Sequence, residues 1–398
     1  MQTYHRWIWQ NPNWPHWSFD PLAIQSSLAQ ARQSFGILLG KAEVIGLEGL
    51  QPQIVESLTQ EALTTSLIEG EKLNPQSVRS SIARRMGLDM HGAPPHEAGR
   101  HIEGLLDVMQ DASMNLNTPL TVERLCGWHA ALFPTGFSGL HKINVASVRT
   151  TKMEIVSGPI GRQKVHYEAP PAEGLEEQMQ TFIAWFNASH PKTGSKPLDG
   201  LVRCALSHLW FETLHPFDDG NGRIGRAIMQ LALADEFGLP GRMVTLSRQI
   251  EAHKSEYYEK LERAQKSKTM DVTNWIVWLI EQLKQSVNFA IQTMDESLQR
   301  IQFQARMASH VLNERQQKTM KKLLDAGPKN YLGGMTTKKH QNICQTSTPT
   351  AARDLIELEH LSLLARYGSG RATRYYPAIE GWAEDQKNPP KTISNLEN

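Results

Sequence analysis

A mainly α-helical chain of two or three domains is the fold class this sequence predicts. Its 398 residues exceed the roughly 250–300 at which a single hydrophobic core stops growing. From about residue 21 to 300, apolar positions recur at three- and four-residue spacings, the mark of helices with one buried face. One stretch breaks that period: "MEIVSGPIGRQKVHYEAPP", 153–171, sets β-branched and aromatic segments on either side of Gly-Pro and Gly-Arg, as a hairpin does.

The elements follow in order. Residues 1–50 are a Trp-rich N-terminal segment, where Trp7 and Trp9 alternate with polar positions ahead of Pro12 and Pro15. That alternation predicts a short strand entering an aromatic cap packed on the main body. Residues 51–110 are expected to be N-terminal helices, with Ile54, Leu58 and Ala62 marking one buried stripe. Residues 111–300 form the central helical body, where Leu201, Ala205, Leu209 and Trp210 mark another. A separate unit spans 305–380. "NERQQKTMKKLLDAG", "TKKHQNICQ" and "STPTAARDLIELEHL" predict three helices, the last with Ser347 as N-cap and Pro349 in its first turn. A hairpin then turns at "GSGR", which completes the order of a winged helix. A DNA-binding reading of that unit uses Arg353 on the third helix and Arg366, Arg371 and Arg374 on the wing. Asp354, Glu357 and Glu359 share that helix, and their acidity favours a protein-docking module with a solvated basic face, leaving DNA as the weaker reading. Residues 385–398, rich in Asn, Lys and Pro, are expected to be a disordered tail.

Composition narrows the function classes. Lys and Arg number 42 against 41 Asp and Glu, so a net charge of +1 provides no global field toward nucleic acid or membrane. Cys126, Cys204 and Cys344 lie far apart without a CxxC pair, which argues against a disulfide framework or a zinc site and predicts small core residues in a reducing compartment. No apolar run approaches the roughly 20 residues that span a bilayer, and the N-terminus lacks the order of a signal peptide. A soluble, cytoplasmic protein is the expectation.

The densest chemistry is "HPFDDGNGRIGR", 215–226. Residues 201–214 read as a helix that Pro216 ends, and Ile224, Ala227, Ile228 and Leu231 begin a new stripe that stops near Gly238. The stretch is thus a loop feeding a helix N-terminus. Gly220 and Gly222 bring successive N–H groups together, and those donors with the helix dipole behind them make an anion site suited to phosphate. Asp219 beside a phosphate is repulsive unless a divalent cation lies between them, which implies a Mg²⁺-bound nucleotide. Arg223 and Arg226 neutralise further phosphate oxygens, and His215 is the group expected to titrate near pH 7 and take a proton from an attacking hydroxyl. The set describes phosphate-ester transfer from a nucleotide.

The twelve residues also match H-P-F-x-[DE]-G-N-G-R-x-x-R at all nine specified positions, and so resemble the signature of the Fic family, whose members transfer AMP from ATP onto protein hydroxyls. The resemblance covers residues of roughly 50 to 290 well. It implies a compact helical core with His215 as general base, Phe217 as a core anchor, and Asp219 as Mg²⁺ ligand. It further implies a cradle of Gly220, Asn221 and Gly222 around the α- and β-phosphates, with Arg223 on the phosphates and Arg226 on the γ-phosphate. "KSEYYEKL", 254–261, is similar to the family's tyrosine region near the adenine, which points to Tyr257 and Tyr258. The 153–171 hairpin corresponds to the family's flap, with Val156, Ser157 and Gly158 docking a target segment by main-chain pairing. The implied substrate is ATP with Mg²⁺, and the implied partner a protein bearing a Ser, Thr or Tyr hydroxyl, the chain itself included; a homodimer is left open. Two rivals stand: transfer of another nucleotide or phosphate-linked group, and a transcriptional regulator whose nucleotide site is a sensor.

"TTSLIEGEKLNP", 64–75, carries a second motif. Gly70 reads as a C-cap, which puts Glu69 at a helix C-terminus, where a carboxylate is disfavoured by about 0.3–1 kcal/mol unless a cation compensates. Thr65, Glu69 and Gly70 match [ST]-x-x-x-E-[GN], and so resemble the family's inhibitory helix, whose glutamate pairs with the second arginine of the main motif. That partner is Arg226. The resemblance also permits, without requiring, a role for Glu69 in the reverse reaction, removal of AMP.

Overall fold

A computed structural model describes residues 5–88, 99–159, 162–327, 331 and 333–383. The expected tail at 385–398 and the tip of the 153–171 hairpin lie outside those residues. The chain divides into two compact units, Met1–Gln292 and Thr293–Asn398.

In the first unit the helices are α1 (Pro21–Ile68), α2 (Pro75–Arg85), α3 (Arg100–Met114), α4 (Val122–Leu132), α5 (Leu175–Ala188), α6 (Gly200–Leu214), α7 (Asn221–Phe237), α8 (Leu246–Ala252) and α9 (Lys254–Gln265), with α10 (Thr273–Ala308) contributing residues to each unit. Between α4 and α5 lie two antiparallel hairpins, β1 (Phe137–Ser138) with β2 (His141–Lys142) and β3 (Glu154–Ser157) with β4 (Lys164–Glu168). The second of these is the expected interruption; the first is an addition, turning on Gly139 at φ +54. No helix among the described residues is long and apolar enough to cross a membrane.

α6 and α7 are the centre of this unit. Every residue of α6 is buried, as its nearly continuous apolar sequence requires, and the Asp199 side chain caps it by accepting from the N–H groups of Leu201 and Val202. Buried Arg203 of α6 donates to Asp235 of α7 at 2.8 Å and to the Phe186 carbonyl of α5 at 3.0 Å, so a charge sealed in the core is paired. α1 changes direction at Gly46, whose φ of +76 suits glycine, and the expected boundary at 50/51 falls inside this helix.

The N-terminal strand does not form. Residues Ile8–Gln10 are a short 3-10 helix, because the Gln10 side chain turns back to accept from the N–H groups of Arg6 and Trp7 at 2.9 and 3.0 Å, a local bond an extended chain cannot make. The aromatic packing does form: Trp7 is buried edge-on against Tyr167 at 5.2 Å, and Trp9 donates to the Glu168 carbonyl. The N-terminal segment thus buttresses the β3–β4 hairpin.

The second unit holds α11 (Glu314–Ala326), α12 (Thr337–Cys344), α13 (Thr348–His360) and the ribbon β5 (Leu364–Tyr367)–β6 (Arg374–Pro377), in the order the sequence predicts, with Ser347 capping α13. One of the acidic residues of α13 is not solvated. Asp354 is 3% exposed and receives Arg315 at 2.7 Å, Asn313 at 3.1 Å and His340 at 3.1 Å, so it ties the start of α11 and the middle of α12 to α13 instead of facing water. Burial raises its pKa, but hydrogen bonds from those groups prevail and hold it down at about 2. Glu359 is paired with Arg366, which removes that arginine from the expected basic wing. Of the cysteines, all free, only Cys204 is fully buried.

Candidate active site

The loop between α6 and α7 positions the chemistry. α6 ends at His215, a left-handed residue at φ +45, a conformation costing a non-glycine about 1–2 kcal/mol, and Pro216 cannot continue a helix. α7 opens on Gly220 at φ +79. Asn221 folds the intervening loop onto itself, its amide donating to the Phe217 carbonyl at 2.7 Å and its oxygen accepting from the Phe217 N–H at 2.9 Å. Phe217 is fully buried and stacks on His129 with ring centroids 4.4 Å apart. This rigid loop leaves the first N–H groups of α7 without intrahelical partners.

Those groups open on a cavity of about 710 Å³ lined by His215, Asp219, Gly222, Arg226, Tyr258 and Glu69, among others. Val156 and Ser157 of β3 line its other side, and the outer edge of β3 carries no strand among the described residues. Gly158, at φ +98, starts the turn that follows. The Asp219 carboxylate, which lines the cavity, is oriented by the Ser138 hydroxyl and by the Gly220 N–H at 2.6 Å; one carboxylate and a bed of N–H groups fit a hard divalent cation carried in on phosphate oxygens.

The arginines separate. Arg226, buried on all sides, donates from Nε to Thr65 Oγ1 at 2.6 Å and from Nη2 to the Thr65 carbonyl at 3.1 Å and Glu69 Oε1 at 2.7 Å. Arg223 lies over the Phe133 ring and meets Glu71, two residues beyond Glu69, at 3.4 Å. Glu69 is placed by a Schellman cap on α1, in which the N–H groups of Gly70 and Glu71 return to the carbonyls of Leu67 and Ser66 at 2.9 Å each. The tyrosines also separate. Tyr257 is buried with its hydroxyl 2.9 Å from His208 Nε2, and so belongs to the wall, whereas Tyr258 is 46% exposed and offers its ring to the cavity.

His215 does not titrate near neutrality. Burial pushes its pKa down to about 4, with the Arg149 cation adding to burial against the pull of the Glu212 carbonyl. The ring is therefore neutral at pH 7, the state a base needs. Two neighbours escaped the sequence reading. Glu212 lies one turn earlier on buried α6, with Oε2 3.7 Å from His215 Nδ1 and Oε1 without a hydrogen-bond partner among the described residues. Burial raises its pKa to about 8 against the Arg226 charge, and a carboxyl continuing the Leu201–Leu209 stripe was the available signal. Arg149 had none: among the described residues its side chain bonds only main-chain carbonyls.

Known proteins resemble parts of this chain. Residues 119–233 match the Fic/DOC family and residues 7–88 match a domain of unknown function, DUF4172. A protein adenylyltransferase Fic from Nematostella vectensis is 23% identical over 212 residues, 53% of this chain and 44% of that protein. One of the same name from Drosophila melanogaster is 30% identical over 164 residues, 37% of this chain and 31% of that protein. The match thus spans less than half the length of these curated relatives. Among solved structures, a Fic family protein from Desulfovibrio desulfuricans aligns over 94% of this chain and 100% of its own, with a TM-score of 0.52 at 20% identity. Fic-1 from C. elegans aligns over 70% and 75%, with a TM-score of 0.51 at 19% identity. At such identities the two structures speak for the fold. The matched segment 119–233 contains the His215 loop and the start of α7, so the residues that build the site lie in the part of the chain that is similar to the Fic/DOC family.

Proposed function

We propose that the chain is a protein adenylyltransferase that moves AMP from ATP to a Ser, Thr or Tyr hydroxyl of a protein. The observation that carries this reading is the convergence, on one cavity, of a neutral imidazole, a carboxylate and the N-terminus of α7 beneath the open edge of β3. The N–H groups of Gly220, Asn221 and Gly222 would hold the α- and β-phosphates, and Arg223 and Arg226 the outer phosphate oxygens. Asp219 would hold Mg²⁺, which supplies charge neutralisation for the departing pyrophosphate. Tyr258 offers a face for the base, with Tyr257 supporting it. Target main chain adds to β3 at Val156, Ser157 and Gly158, which presents a side-chain hydroxyl to His215. His215 takes the hydroxyl proton as oxygen bonds to the α-phosphorus and pyrophosphate leaves.

Glu69 restrains the reaction in this reading. While its carboxylate holds Arg226, that arginine is withheld from the γ-phosphate, so ATP lacks the contact that aligns it for in-line attack. The same carboxylate is placed to orient water for removal of AMP. We assign catalysis to 111–300 and a winged-helix-like docking role to 305–380. ATP labelled at either phosphate tests the central claim in the Glu69→Gly protein: label from the α position is retained on protein and label from the γ position is not. Retention of γ label would make the chain a phosphotransferase and overturn the reading.

A further inference from the structure

Arg149 is 1% exposed, and none of its partners among the described residues is a carboxylate. Its guanidinium instead gathers carbonyls from three segments. Nε donates to His215 O at 2.8 Å; Nη1 donates to Thr151 O at 2.8 Å; and Nη2 donates to Pro170 O at 2.6 Å and Leu214 O at 3.4 Å. Its own N–H donates to Pro216 O at 2.8 Å. Thr151 leads into β3 and Pro170 leaves β4, so one side chain grips both legs of the hairpin and the left-handed residue that bears the imidazole.

A buried cation bonded to no carboxylate is costly, and burial lowers the Arg149 pKa against the pull of the nearby Asp218 charge. Simple stapling of loops needs no charge. The carbonyls at the end of α6 supply what an anion otherwise would, because the negative end of the helix dipole lies there. The planar fork matters for the same reason: its donors diverge in one plane and reach carbonyls on opposite sides, which a lysine ammonium on a flexible stem does only in part. Tyr167 adds a second tie from β4 to α6, donating to Thr213 O at 2.6 Å, but it reaches neither Thr151 nor His215.

We propose that Arg149 is a positioning residue that sets the distance between the β3 edge and the His215 ring, and so places the acceptor hydroxyl over the base. The inference rests on the adenylyltransferase reading given above and adds to it a residue that touches neither nucleotide nor target. It separates two steps. Nucleotide meets α7 and the arginines, which Arg149 does not contact; target meets β3, which it holds in register with His215.

Arg149→Met and Arg149→Lys, each in the Glu69→Gly background, test this. With a protein acceptor, Arg149→Met is expected to lose about a hundredfold in kcat, the scale of a 1 Å misplacement, while the Kd for ATP measured by calorimetry stays within about twofold. Arg149→Lys is expected to recover part of the loss. Loss of ATP affinity in parallel with kcat would show a merely structural role, and full kcat in Arg149→Met would overturn the proposal. Amide hydrogen exchange supplies a readout independent of turnover: Arg149→Met should speed exchange at Ala169, whose N–H closes the hairpin base on Met153 O, and leave α7 unchanged. Unchanged exchange at Ala169 likewise overturns it. If the Glu69→Gly parent transfers no AMP, the function reading fails on its own, and the exchange experiment still decides whether Arg149 holds the hairpin.

Discussion

Glu69 Oε1 lies 2.7 Å from Arg226 Nη2, across 157 residues of sequence, and stands directly above Gly222 at the N-terminus of α7. A Cβ on Gly222 would run into that carboxylate, so the glycine that opens the cradle also admits the side chain that fills it. The carboxylate occupies the ground where the helix would receive an anion.

Replacing Glu69 with Gly should therefore raise transfer of label from ATP, seen first as self-modification, by at least tenfold. Arg226→Ala in that background should lose most of the gain, since the freed arginine then serves the nucleotide. A double variant as active as Glu69→Gly would reduce Arg226 to a latch. On a purified AMP-modified target, Glu69→Gly should also slow the release of AMP; release at the wild-type rate would leave Glu69 an inhibitor alone.

His215→Ala should lower kcat by about 10²–10⁴-fold with the Kd for ATP little changed, because the cradle is main chain. The pKa of about 4 gives a second test. Protonated imidazole cannot accept a proton, so kcat/KM of the Glu69→Gly protein should hold level from pH 8 down to about 5 and fall only toward pH 4. An acid limb centred near 6.5 would show that the ring is not desolvated as the structure has it.

Glu212 makes stability depend on pH in the opposite sense to a salt-bridged acid. Below its ordinary value of 4.5 the carboxyl is neutral folded or unfolded; between 4.5 and about 8 the unfolded chain gives up a proton that the folded chain keeps. Stability therefore falls as pH rises through that window, by at most about 1.4 kcal/mol per unit. Glu212→Gln should remove the slope, so that its Tm gains on the wild type between pH 5 and 8 in calorimetric scans. Parallel curves would mean that Glu212 is ionised in the fold.

Asp354→Ala should destabilise the second unit, because His340, at 0% exposure, loses its acceptor and the Arg315 bond goes with it. Urea denaturation followed at Trp382, buried in that unit's core, reads this out. An unchanged midpoint would return Asp354 to the solvated role the sequence suggested.

What the sequence determined by itself is local. The helices at 201–214 and 221–237 follow from apolar spacing, Pro216 and Gly238, and the chemistry of 215–226 is contiguous, so its geometry needs only one loop and one helix start. The helix cap that sets Glu69 is likewise written in six residues. Tertiary structure decided the rest. Burial, which no local pattern measures, turned His215 from a group titrating near 7 into a neutral base and Glu212 into a carboxyl that keeps its proton. Packing drew Asp354 out of solvent, and the reach of the Gln10 side chain made a turn where alternation predicted a strand. Arg149 was beyond reading for a further reason: it recognises main-chain carbonyls, which every residue carries, so nothing in the identities of Thr151, Pro170 or His215 announces the arginine that joins them.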